Sequence, residues 1–579
     1  MNIVYKSEKK LEITSKQKVI DIFKKEIELK DSNIIACKCN NEVKSLNYEV
    51  EPEDKVELID TTTRDGRRVY IRGVTYIMAK ALYELYPQAL LTVNYQLSNS
   101  MLCEIENMEI TEELIKRISE KMHEIVNKNI EIKKVEMTKE EAIKFYEKEK
   151  TLRGILQLDN KEKEEVSLYF CEEYYNYFYG VMPISTGFID KFEVVKYHDG
   201  FLLRYPSKYT PNVLEKYNET KKLLNTLDEY EDIYKTLKIN TVYRLNKAIS
   251  EGKAQDIISL SEALHEKKIS DLADKIVERK DVKAILIAGP SSSGKTTFSK
   301  RLGVHLRLNG LKPVTISVDN YFVERKDNPK HSDGTYDFEC IEAIDLKLFN
   351  EHLTKLLNGE EIDVPTFNFK TGHKEYHGEK MRLAQDEVLV MEGIHCLNDK
   401  LTEAISKDQK YKIYISALTV LNIDYFNRIS TTDTRLIRRI VRDYQFRSYS
   451  ALHTLETWLS VNQGEEKYIY PFQEDADSMF NTSLIYELCV LKKHAHPLLK
   501  EITNASKEFS EAKNLYNLLN YFEDIPDELV PKNSLLRIKL HFFISVIRVV
   551  ECRRCVIAYF NIGLEFMENA RNMFFYLRR

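Results

Sequence analysis

The chain has 579 residues, of which 43% are hydrophobic and 31% are charged, and its formal net charge at pH 7 is −5. This length predicts three to five domains, and the composition is typical of a globular protein with sizeable cores. The slightly acidic balance excludes a global basic field that would attract nucleic acid. The function must therefore be sought in local motifs.

Cysteine usage and hydropathy indicate a cytoplasmic protein. The nine cysteines are an odd set, and a chain of this size needs no disulfide bonds, so a reducing compartment is the simplest interpretation. Charged residues recur within the first ten positions, unlike a secretory signal peptide. No window offers about 18 uninterrupted apolar residues for a membrane helix. Cys552 and Cys555 have C-x-x-C spacing, but no second pair lies nearby to complete a zinc site.

Residues 1–61 form the first predicted unit, a small α+β module. Residues 19–27 have helical spacing. Short apolar stretches predict four strands, at residues 2–5, 10–13, 34–39 and 56–59. This order resembles the ubiquitin-like TGS module at the front of threonyl-tRNA synthetases. A generic β-grasp adaptor has the same order, so that alternative stays open.

Residues 62–213 strengthen the resemblance to threonyl-tRNA synthetases. Residues 65–87 are similar to the opening of the second additional domain of those enzymes, where an H-x-x-x-H pair places two imidazoles on one helix face. Arg72 and Tyr76 occupy those positions here, and residues 171–175 lack a Cys-x-x-x-His pattern. We therefore expect a folded module with a binding groove but no editing chemistry. RNA is one alternative ligand, although the Lys-rich helices are more typical of a solvated surface.

A helical connector is predicted at residues 214–280, because Leu, Glu and Lys are frequent and apolar residues recur at helical spacing. Its expected role is packing. We expect the catalytic domain at residues 281–499 and a helical C-terminal region at residues 500–579.

The strongest functional motif lies at residues 284–297. An apolar run predicts a buried strand, residues 289–296 match G-x-x-x-x-G-K-[ST], and a helical pattern follows. The backbone N–H groups of such a P-loop and the helix N-terminus bind phosphate oxygens. We expect Lys295 to contact the β- and γ-phosphates of a nucleoside triphosphate and Thr296 to bind Mg²⁺. The predicted nucleotide-binding residues are Gly289, Ser291, Ser292, Ser293, Gly294, Lys295, Thr296 and Thr297.

Two further apolar strands lead to acidic residues, Asp319 and Glu392. Both acids are expected near the phosphates, because ligands of open α/β sheets gather at the carboxyl ends of the strands. Asp319 is the predicted catalytic base, which orients the accepting hydroxyl and takes its proton. A helix cap or a Mg²⁺ partner is the alternative role. Glu392 is predicted to hold a Mg²⁺-bound water.

Two segments, around Asp337 and around His373, suit an acceptor pocket. Aromatic side chains can stack on a base, while Asp337 and His373 can hydrogen-bond sugar hydroxyls or base edges. For Phe367 and Phe369, ordinary core packing is at least as good an interpretation.

Arginines recur at helical spacing in residues 435–447. Arg435, Arg438 or Arg439, and Arg442 fall at i, i+3 or i+4, and i+7, on one helix face. Such a stripe repels itself unless an anion or carboxylates lie opposite. Next to a P-loop we expect a lid that clamps the transferring phosphate, in preference to a solvated basic face.

Together these motifs resemble the uridine kinase/phosphoribulokinase family of P-loop kinases over most of the catalytic domain. The resemblance implies an ATP- and Mg²⁺-dependent phosphotransferase with a mostly parallel sheet between helices. It implies that Asp319 is the general base and that Lys295 and Arg442 take part in catalysis. The residues implied to contact the nucleoside or the phosphates are Tyr321, Asp337, His373, Arg439, Arg442 and Arg447.

One departure from this family concerns the acceptor. Nucleoside kinases carry His-x-Arg in this segment, whereas His373 is followed here by Lys374 and Glu375. The main hypothesis is a kinase for the 5′-hydroxyl of uridine or cytidine. A kinase of the same fold for a sugar phosphate or a pantothenate-like alcohol is one alternative, and a nucleotide-gated tRNA- or RNA-binding regulator is another. We expect a small-molecule acceptor, a homo-oligomer and no membrane partner.

The expected architecture is multidomain, with α/β and α+β parts. A TGS-like β-grasp domain and a synthetase-like α+β module precede the connector and the P-loop kinase. The tail after residue 537 is rich in Phe, Tyr, Ile and Arg, unlike the short glycine-containing ending of bacterial uridine kinase-like proteins with this arrangement. A lineage-specific helix pair and an altered reading frame are the alternatives.

Overall fold

The computed structural model describes residues 2–5, 7–10, 15–28, 32–149, 158, 165–330, 334, 336–368 and 371–536. The chain divides into two units, residues 1–529 and residues 530–579, and all described helices and strands belong to the first. Phe369, Cys552, Cys555 and the tail from residue 537 lie outside the described residues. Within the described ranges, no helix is long and apolar enough to cross a membrane.

A five-stranded sheet forms the first module, together with helices α1 (Val19–Ile22) and α2 (Lys24–Ile27). The strands of this module are β1 (Asn2–Tyr5), β2 (Ser7–Lys10), β3 (Gln17–Lys18), β4 (Ile34–Cys39), β5 (Glu42–Lys44), β6 (Glu49–Val50) and β7 (Lys55–Asp60). The sheet order is β2-β1-β7-β4-β5, with β1 parallel to β7. The predicted helix at 19–27 is broken at Phe23, whose backbone leaves helical geometry while its side chain is buried. Of the strand predicted at 10–13, Lys10 is the last residue of β2, and residues 11–13 lie outside the described residues.

The second module packs three helices against two antiparallel sheets. Its helices are α3 (Arg64–Leu85), α4 (Glu112–Asn127) and α5 (Lys139–Glu149). Its strands are β8 (Leu91–Leu97), β9 (Ser100–Ile105), β10 (Lys133–Thr138), β11 (Glu165–Cys171), β12 (Tyr174–Tyr177), β13 (Glu193–Tyr197) and β14 (Gly200–Arg204). The sheet orders are β13-β14-β9-β8 and β10-β11-β12.

Hydroxyl caps fix where two helices of this module begin. The Thr63 side chain accepts a hydrogen bond from the Gly66 N–H, and Thr111 accepts one from the Leu114 N–H at 3.2 Å. Each hydroxyl satisfies an N–H group that has no partner within its helix. Thr111 stands directly before the amphipathic stretch of α4, which is the usual place of an N-cap hydroxyl.

A parallel sheet forms the centre of the third part of the chain. The strands there are β15 (Ala284–Ala288), β16 (Lys312–Ser317), β17 (Ile362–Asn368), β18 (His373–Met381), β19 (Glu387–Glu392), β20 (Lys410–Ser416) and β21 (Ser478–Asn481). The sheet order is β16-β19-β15-β20-β21, and every pairing is parallel. The remaining pair, β17 and β18, forms an antiparallel hairpin.

The described residues between 221 and 519 also form α-helices. They are α6 (Lys221–Thr236), α7 (Val242–Ser250), α8 (Ala254–Glu278), α9 (Lys295–Leu308), α10 (Leu346–Leu357), α11 (Thr431–Arg447), α12 (Ala451–Tyr468), α13 (Glu487–Lys500) and α14 (Phe509–Leu519). Alternate residues of β15 point into two different cores, Leu286 into one and Ile287 into the other. Burial on both faces explains why this strand is an unbroken apolar run.

The last helix of the connector predicted at 214–280 packs against the parallel sheet. Ile269, Leu272, Ala273 and Ile276 of α8 pack in the same hydrophobic cluster as Ile287 of β15. The helix therefore supplies one of the layers that the parallel sheet needs on its faces.

Candidate active site

Three strand ends meet at one edge of the parallel sheet. Ser317 of β16 and Ile287 of β15 both lie in register with Glu392 at the end of β19. Asp319 follows two residues after β16, and the P-loop follows β15. The parallel register therefore gathers the P-loop and both predicted acids at the carboxyl edge of the sheet, as the sequence predicts.

The P-loop, residues 289–296, has the tight backbone that phosphate binding requires. A Cβ atom at Gly289 would lie 2.1 Å from the Ile415 carbonyl oxygen, so only glycine fits there. Ser292 and Gly294 have positive φ values of 60° and 91°. Among the described residues, the buried hydroxyls of Ser292 and Ser293 have no hydrogen-bond partner. The loop therefore combines a tight backbone with two buried hydroxyls that can bond to a ligand, which fits a phosphate-binding site.

Lys295 lies at the centre of the charges in the space bounded by the P-loop, Asp319 and Glu392, which is called the cleft. Its Nζ donates hydrogen bonds to the carbonyl oxygens of Gly289 at 2.7 Å and Pro290 at 3.3 Å. Burial lowers the pKa of Lys295, while the charges of Asp319 and Glu392 act to raise it. A buried cation in a P-loop, whose charge interacts with both acids, is suited to binding a polyphosphate.

Asp319 is exposed on a short 3-10 turn, in which the Val318 and Tyr321 side chains are buried. The protein atoms around its carboxylate displace bulk water and raise its pKa, while the nearby Lys295 and Arg447 charges oppose that rise. A carboxylate with a raised pKa is a better proton acceptor than a free one.

The Glu392 carboxylate has the features of a Mg²⁺ partner. Burial raises its pKa, and a hydrogen bond from the Thr296 side chain opposes the rise. Its Oε2 atom is buried and has no hydrogen-bond partner among the described residues. A free carboxylate oxygen beside a P-loop hydroxyl fits Mg²⁺, which keeps waters and binds through few protein groups. The described ranges contain no cluster of three or more His, Cys, Asp or Glu that could hold a metal ion.

The predicted arginine stripe divides into two functional groups. Arg435 and Arg438 are fully buried, and they form ion pairs with Glu465 and Glu487. Their guanidinium groups also donate to P-loop carbonyl oxygens, of Ser291 at 3.2 Å and of Ser292 at 3.5 Å. These two arginines brace the loop from behind, so the expectation that the whole stripe forms a phosphate clamp is wrong for them.

The other three arginines share a single carboxylate. Arg439, Arg442 and Arg447 lie 3.2, 2.7 and 3.5 Å from the carboxylate oxygens of Asp443. Three guanidinium groups around one carboxylate leave an excess of positive charge beside the cleft. Burial lowers the pKa of Arg442 to about 10, so it stays charged at neutral pH. Such a group suits a polyanionic ligand.

Among the predicted acceptor-binding residues, Asp337 is fully hydrogen-bonded within the protein. Its Oδ1 accepts from the N–H groups of Glu339 and Cys340, both at 3.1 Å, and its Oδ2 accepts from the Tyr468 hydroxyl at 2.9 Å. Asp337 therefore ties its segment to α12.

Tyr321 and His373 lie in opposite environments. Tyr321 is fully buried in the core, where its hydroxyl bonds His352 Nδ1 at 3.0 Å, so the structure does not bring it into the cleft. His373 is exposed on β18 and pairs with Glu324, and the neighbouring Lys374 Nζ donates to Asp345 at 2.7 Å. Phe367 is buried against Phe322, which favours its core interpretation.

Two carboxyl groups of the site carried no sequence prediction of their own. Burial, followed by the Glu465 charge, raises the pKa of Glu339 to about 7 against the charges of Arg439 and Lys295. Glu465 accepts the Ser291 N–H at 2.8 Å and holds Arg435 through both oxygens. The position of Glu339 two residues after Asp337 is a usable sequence signal. Glu465 lies 174 residues from the P-loop, and nothing local marks it.

The positions where threonyl-tRNA synthetases carry histidines are filled with internal contacts. Arg72 Nη1 donates to the Tyr179 carbonyl oxygen at 2.8 Å, and burial lowers the pKa of Arg72 to about 10. The Tyr76 hydroxyl donates to the Tyr169 carbonyl oxygen at 2.9 Å. Both side chains hold α3 to its neighbours, so these two positions of α3 serve packing.

Known proteins resemble the two halves of the chain separately. Residues 284–484 match the Phosphoribulokinase / Uridine kinase family. The uridine kinase of Mycoplasma genitalium is 32% identical over 167 residues, which are 28% of this chain and 70% of that enzyme. The uridine kinase of Halobacterium salinarum is 26% identical over 195 residues, which are 34% of this chain and 77% of that enzyme.

The N-terminal region is similar to threonine–tRNA ligases, which confirms the resemblance stated from the sequence. The ligase of Clostridium kluyveri is 28% identical over 189 residues, which are 32% of this chain. The chain spans 30% of that ligase's own length. The family match at residues 284–484 covers all five strands of the parallel sheet, and the Mycoplasma enzyme is covered over most of its length. The chain therefore belongs to the phosphoribulokinase/uridine kinase family of P-loop kinases.

Proposed function

We propose that the protein transfers the γ-phosphate of ATP to the 5′-hydroxyl of a nucleoside, with uridine or cytidine as the acceptor. The observation that carries the proposal is that the strand register brings Asp319, Lys295 and Glu392 to one sheet edge, where the Lys295 charge opposes the rise in pKa of both carboxyl groups. A base, a phosphate-binding cation and a metal-orienting acid are the groups that phosphoryl transfer to an alcohol needs.

On the donor side, the P-loop N–H groups and the N-terminus of α9 bind the phosphates. Lys295 would exchange its bonds to Gly289 and Pro290 for phosphate oxygens. Thr296 and Glu392 would hold Mg²⁺, which neutralises charge on the phosphates. Arg439, Arg442 and Arg447 supply positive charge for the transferring group.

On the acceptor side, Asp319 orients the hydroxyl and accepts its proton as the oxygen attacks the γ-phosphorus. Asp337 and His373 are the proposed contacts to the sugar or base. Because Asp337 already accepts from Tyr468, a sugar hydroxyl would replace or join that donor. His373 is exposed on β18 and would contact the acceptor from there.

A panel of acceptors tests this proposal. The purified full chain is incubated with ATP, Mg²⁺ and individual nucleosides, sugar phosphates and pantothenate, and ADP release is measured for each. We expect uridine or cytidine to accelerate ADP release and to yield a 5′-monophosphate identified by mass spectrometry. Acceleration by another alcohol, with none by any nucleoside, contradicts the assignment.

A different small alcohol is the second candidate acceptor. The observation that favours it is Glu375, which stands at the arginine position of His-x-Arg and accepts a hydrogen bond from Asn368 Nδ2 at 2.9 Å. A carboxylate only accepts hydrogen bonds, so it does not offer the planar two-point donor contact of an arginine. The same panel separates the two candidates, because a sugar phosphate or a pantothenate-like acid would then be the accelerating compound.

A further inference from the structure

We infer that Arg64 and Arg68 of the synthetase-like module are positioning residues for the arginine helix α11, and that they act on phosphoryl transfer through Asp433. The N-terminal half would then set the rate of the kinase without touching its substrates. This inference rests on the proposed phosphotransferase function.

The first support is an ion cluster between parts of the chain that are far apart in sequence. Arg64 Nη2 and Arg68 Nη2 lie 2.6 and 2.8 Å from Asp433 Oδ1. Arg68 Nη1 also lies 2.7 Å from Glu511 of α14. Burial would raise the pKa of Glu511, but the charges of Arg64 and Arg68 outweigh it and hold that pKa below its ordinary value. The four groups therefore form one charged network.

The location of Asp433 gives this network its influence on the site. Asp433 lies in the first turn of α11, and the same helix carries Arg439 and Arg442 beside the cleft. Arg439 contacts the P-loop directly, because its Nη1 donates to the Ser291 hydroxyl at 2.7 Å. A helix moves as a rigid rod, so fixing its first turn limits the positions that the later arginines reach.

The loop that leads into α11 is bound by the same module. The Val93 N–H donates to the Tyr425 carbonyl oxygen at 2.8 Å, and Asn422 Nδ2 donates back to the Val93 carbonyl oxygen at 3.3 Å. The Tyr179 N–H donates to Asn427 Oδ1 at 2.8 Å. Both the approach to α11 and its first turn are therefore held from the synthetase-like side.

Trp458, the single tryptophan of the chain, offers a readout that does not depend on turnover. The guanidinium carbons of Arg435 and Arg439 lie 5.5 and 5.7 Å from the centre of its buried ring. A shift of α11 changes this contact, so Trp458 fluorescence reports the position of the helix in the full chain.

The test compares R64Q/R68Q with Lys513→Gln. Lys513 forms a 2.8 Å ion pair with Glu42 that joins the first module to α14 and does not reach α11. We expect R64Q/R68Q to shift the Trp458 emission and to lower kcat about tenfold, with the Kd for ATP changed less than twofold. Lys513→Gln should leave all three unchanged. The single variant Arg68→Lys keeps the charge, so we expect it to retain most of the wild-type kcat.

A double-mutant cycle with Arg442→Ala shows whether the effect passes through the arginine helix. We expect R64Q/R68Q to lower kcat little further when Arg442 is already absent, because both changes remove the same contribution. Fully additive losses, or unchanged emission and kcat in R64Q/R68Q, overturn the inference. If wild type phosphorylates no acceptor, the proposed function fails, while the fluorescence comparison still decides whether Arg64 and Arg68 position α11.

Discussion

Arg435 and Glu465 form a two-point ion pair in the protein interior, with both N–O distances at 2.6 Å and with both side chains at most 1% exposed. The pair lies directly behind the P-loop, because Glu465 accepts the Ser291 N–H and Arg435 donates to the Ser291 carbonyl oxygen. The N–H and the carbonyl oxygen of Ser291 in the P-loop are therefore both hydrogen-bonded to this ion pair. The shape of the loop depends on a helix far away in sequence.

Breaking this pair should destabilise the fold and the nucleotide site together. Arg435→Ala leaves the Glu465 charge buried and unpaired, and such losses cost about 3–5 kcal/mol. Chemical denaturation should show that loss, and ATP affinity should fall. Arg447→Gln is the matched control, because Arg447 is half exposed and its removal should cost about 1 kcal/mol or less of stability. Equal stability losses in the two variants would contradict this view of the stripe.

Asp319→Asn should separate catalysis from binding. The amide keeps the shape of the side chain but cannot take the acceptor proton, so kcat should fall about 10²- to 10⁴-fold. The Kd for ATP, measured by calorimetry, should change little because the P-loop is untouched. Asp327→Asn, at an exposed residue in the next turn, should retain full activity. Loss of ATP binding in Asp319→Asn would assign Asp319 a structural role.

Glu392→Gln should raise the requirement for Mg²⁺. The change removes the charge of the unpaired Oε2 atom, and losses of this kind weaken metal binding by about 10- to 100-fold. Activity is measured against free Mg²⁺ at saturating ATP. Glu387→Gln, at the opposite end of the same strand, should not change the free Mg²⁺ concentration that gives half-maximal activity. A curve that does not move in Glu392→Gln would exclude Glu392 from the metal site.

Gly464→Ala should impair acceptor binding. A Cβ atom there would lie 2.6 Å from the Glu339 Cβ. The segment that contains Asp337 and Glu339, which we propose contacts the acceptor, would have to move away from α12. We expect a higher KM for the acceptor with an unchanged KM for ATP. Gly303→Ala in α9 is the control, since its nearest neighbour atom would lie at an ordinary 3.4 Å. That change should stabilise the protein by about 0.5–1 kcal/mol through helix propensity. Identical acceptor KM values in the two variants would count against the segment's role.

The Glu339 carboxyl should make stability depend on pH. Burial and Glu465 raise its pKa from 4.5 to about 7, while Arg439 and Lys295 limit the rise. Well below pH 4.5 this carboxyl is protonated in both the folded and the unfolded protein, so it does not change the free energy of unfolding. As pH rises towards 7 the unfolded state ionises first, so this contribution lowers stability progressively, by about 1–3 kcal/mol in total. Glu339→Gln should remove this loss. Parallel pH–stability curves for wild type and variant would contradict it.

Local patterns were sufficient for the strands and the nucleotide loop. The apolar run of β15, the following G-x-x-x-x-G-K-[ST] and the acid that ends β19 are each contained in a few consecutive residues, and the structure places them as predicted. The Thr111 cap was equally accessible, because a hydroxyl before an amphipathic stretch is a short-range signal.

Roles that depend on burial were not accessible in the same way. Arg435, Arg438, Arg439 and Arg442 look alike in sequence, yet two of them pair with Glu465 and Glu487 in the interior. Tyr321 fits the family motif, yet its ring lies in the core. Burial follows from which distant helices pack around α11 and β16, and one segment alone does not carry that information.

The sequence by itself therefore determined the family, the nucleotide-binding loop and the acids at the strand ends, because each rests on contiguous residues and on the register of parallel strands. Only the tertiary structure decided which arginines face the cleft and which brace the P-loop. It also revealed the contacts of Arg64 and Arg68 with Asp433, across more than 360 residues. Charges are sorted into partners by distance in space, and that distance is set when the modules pack together.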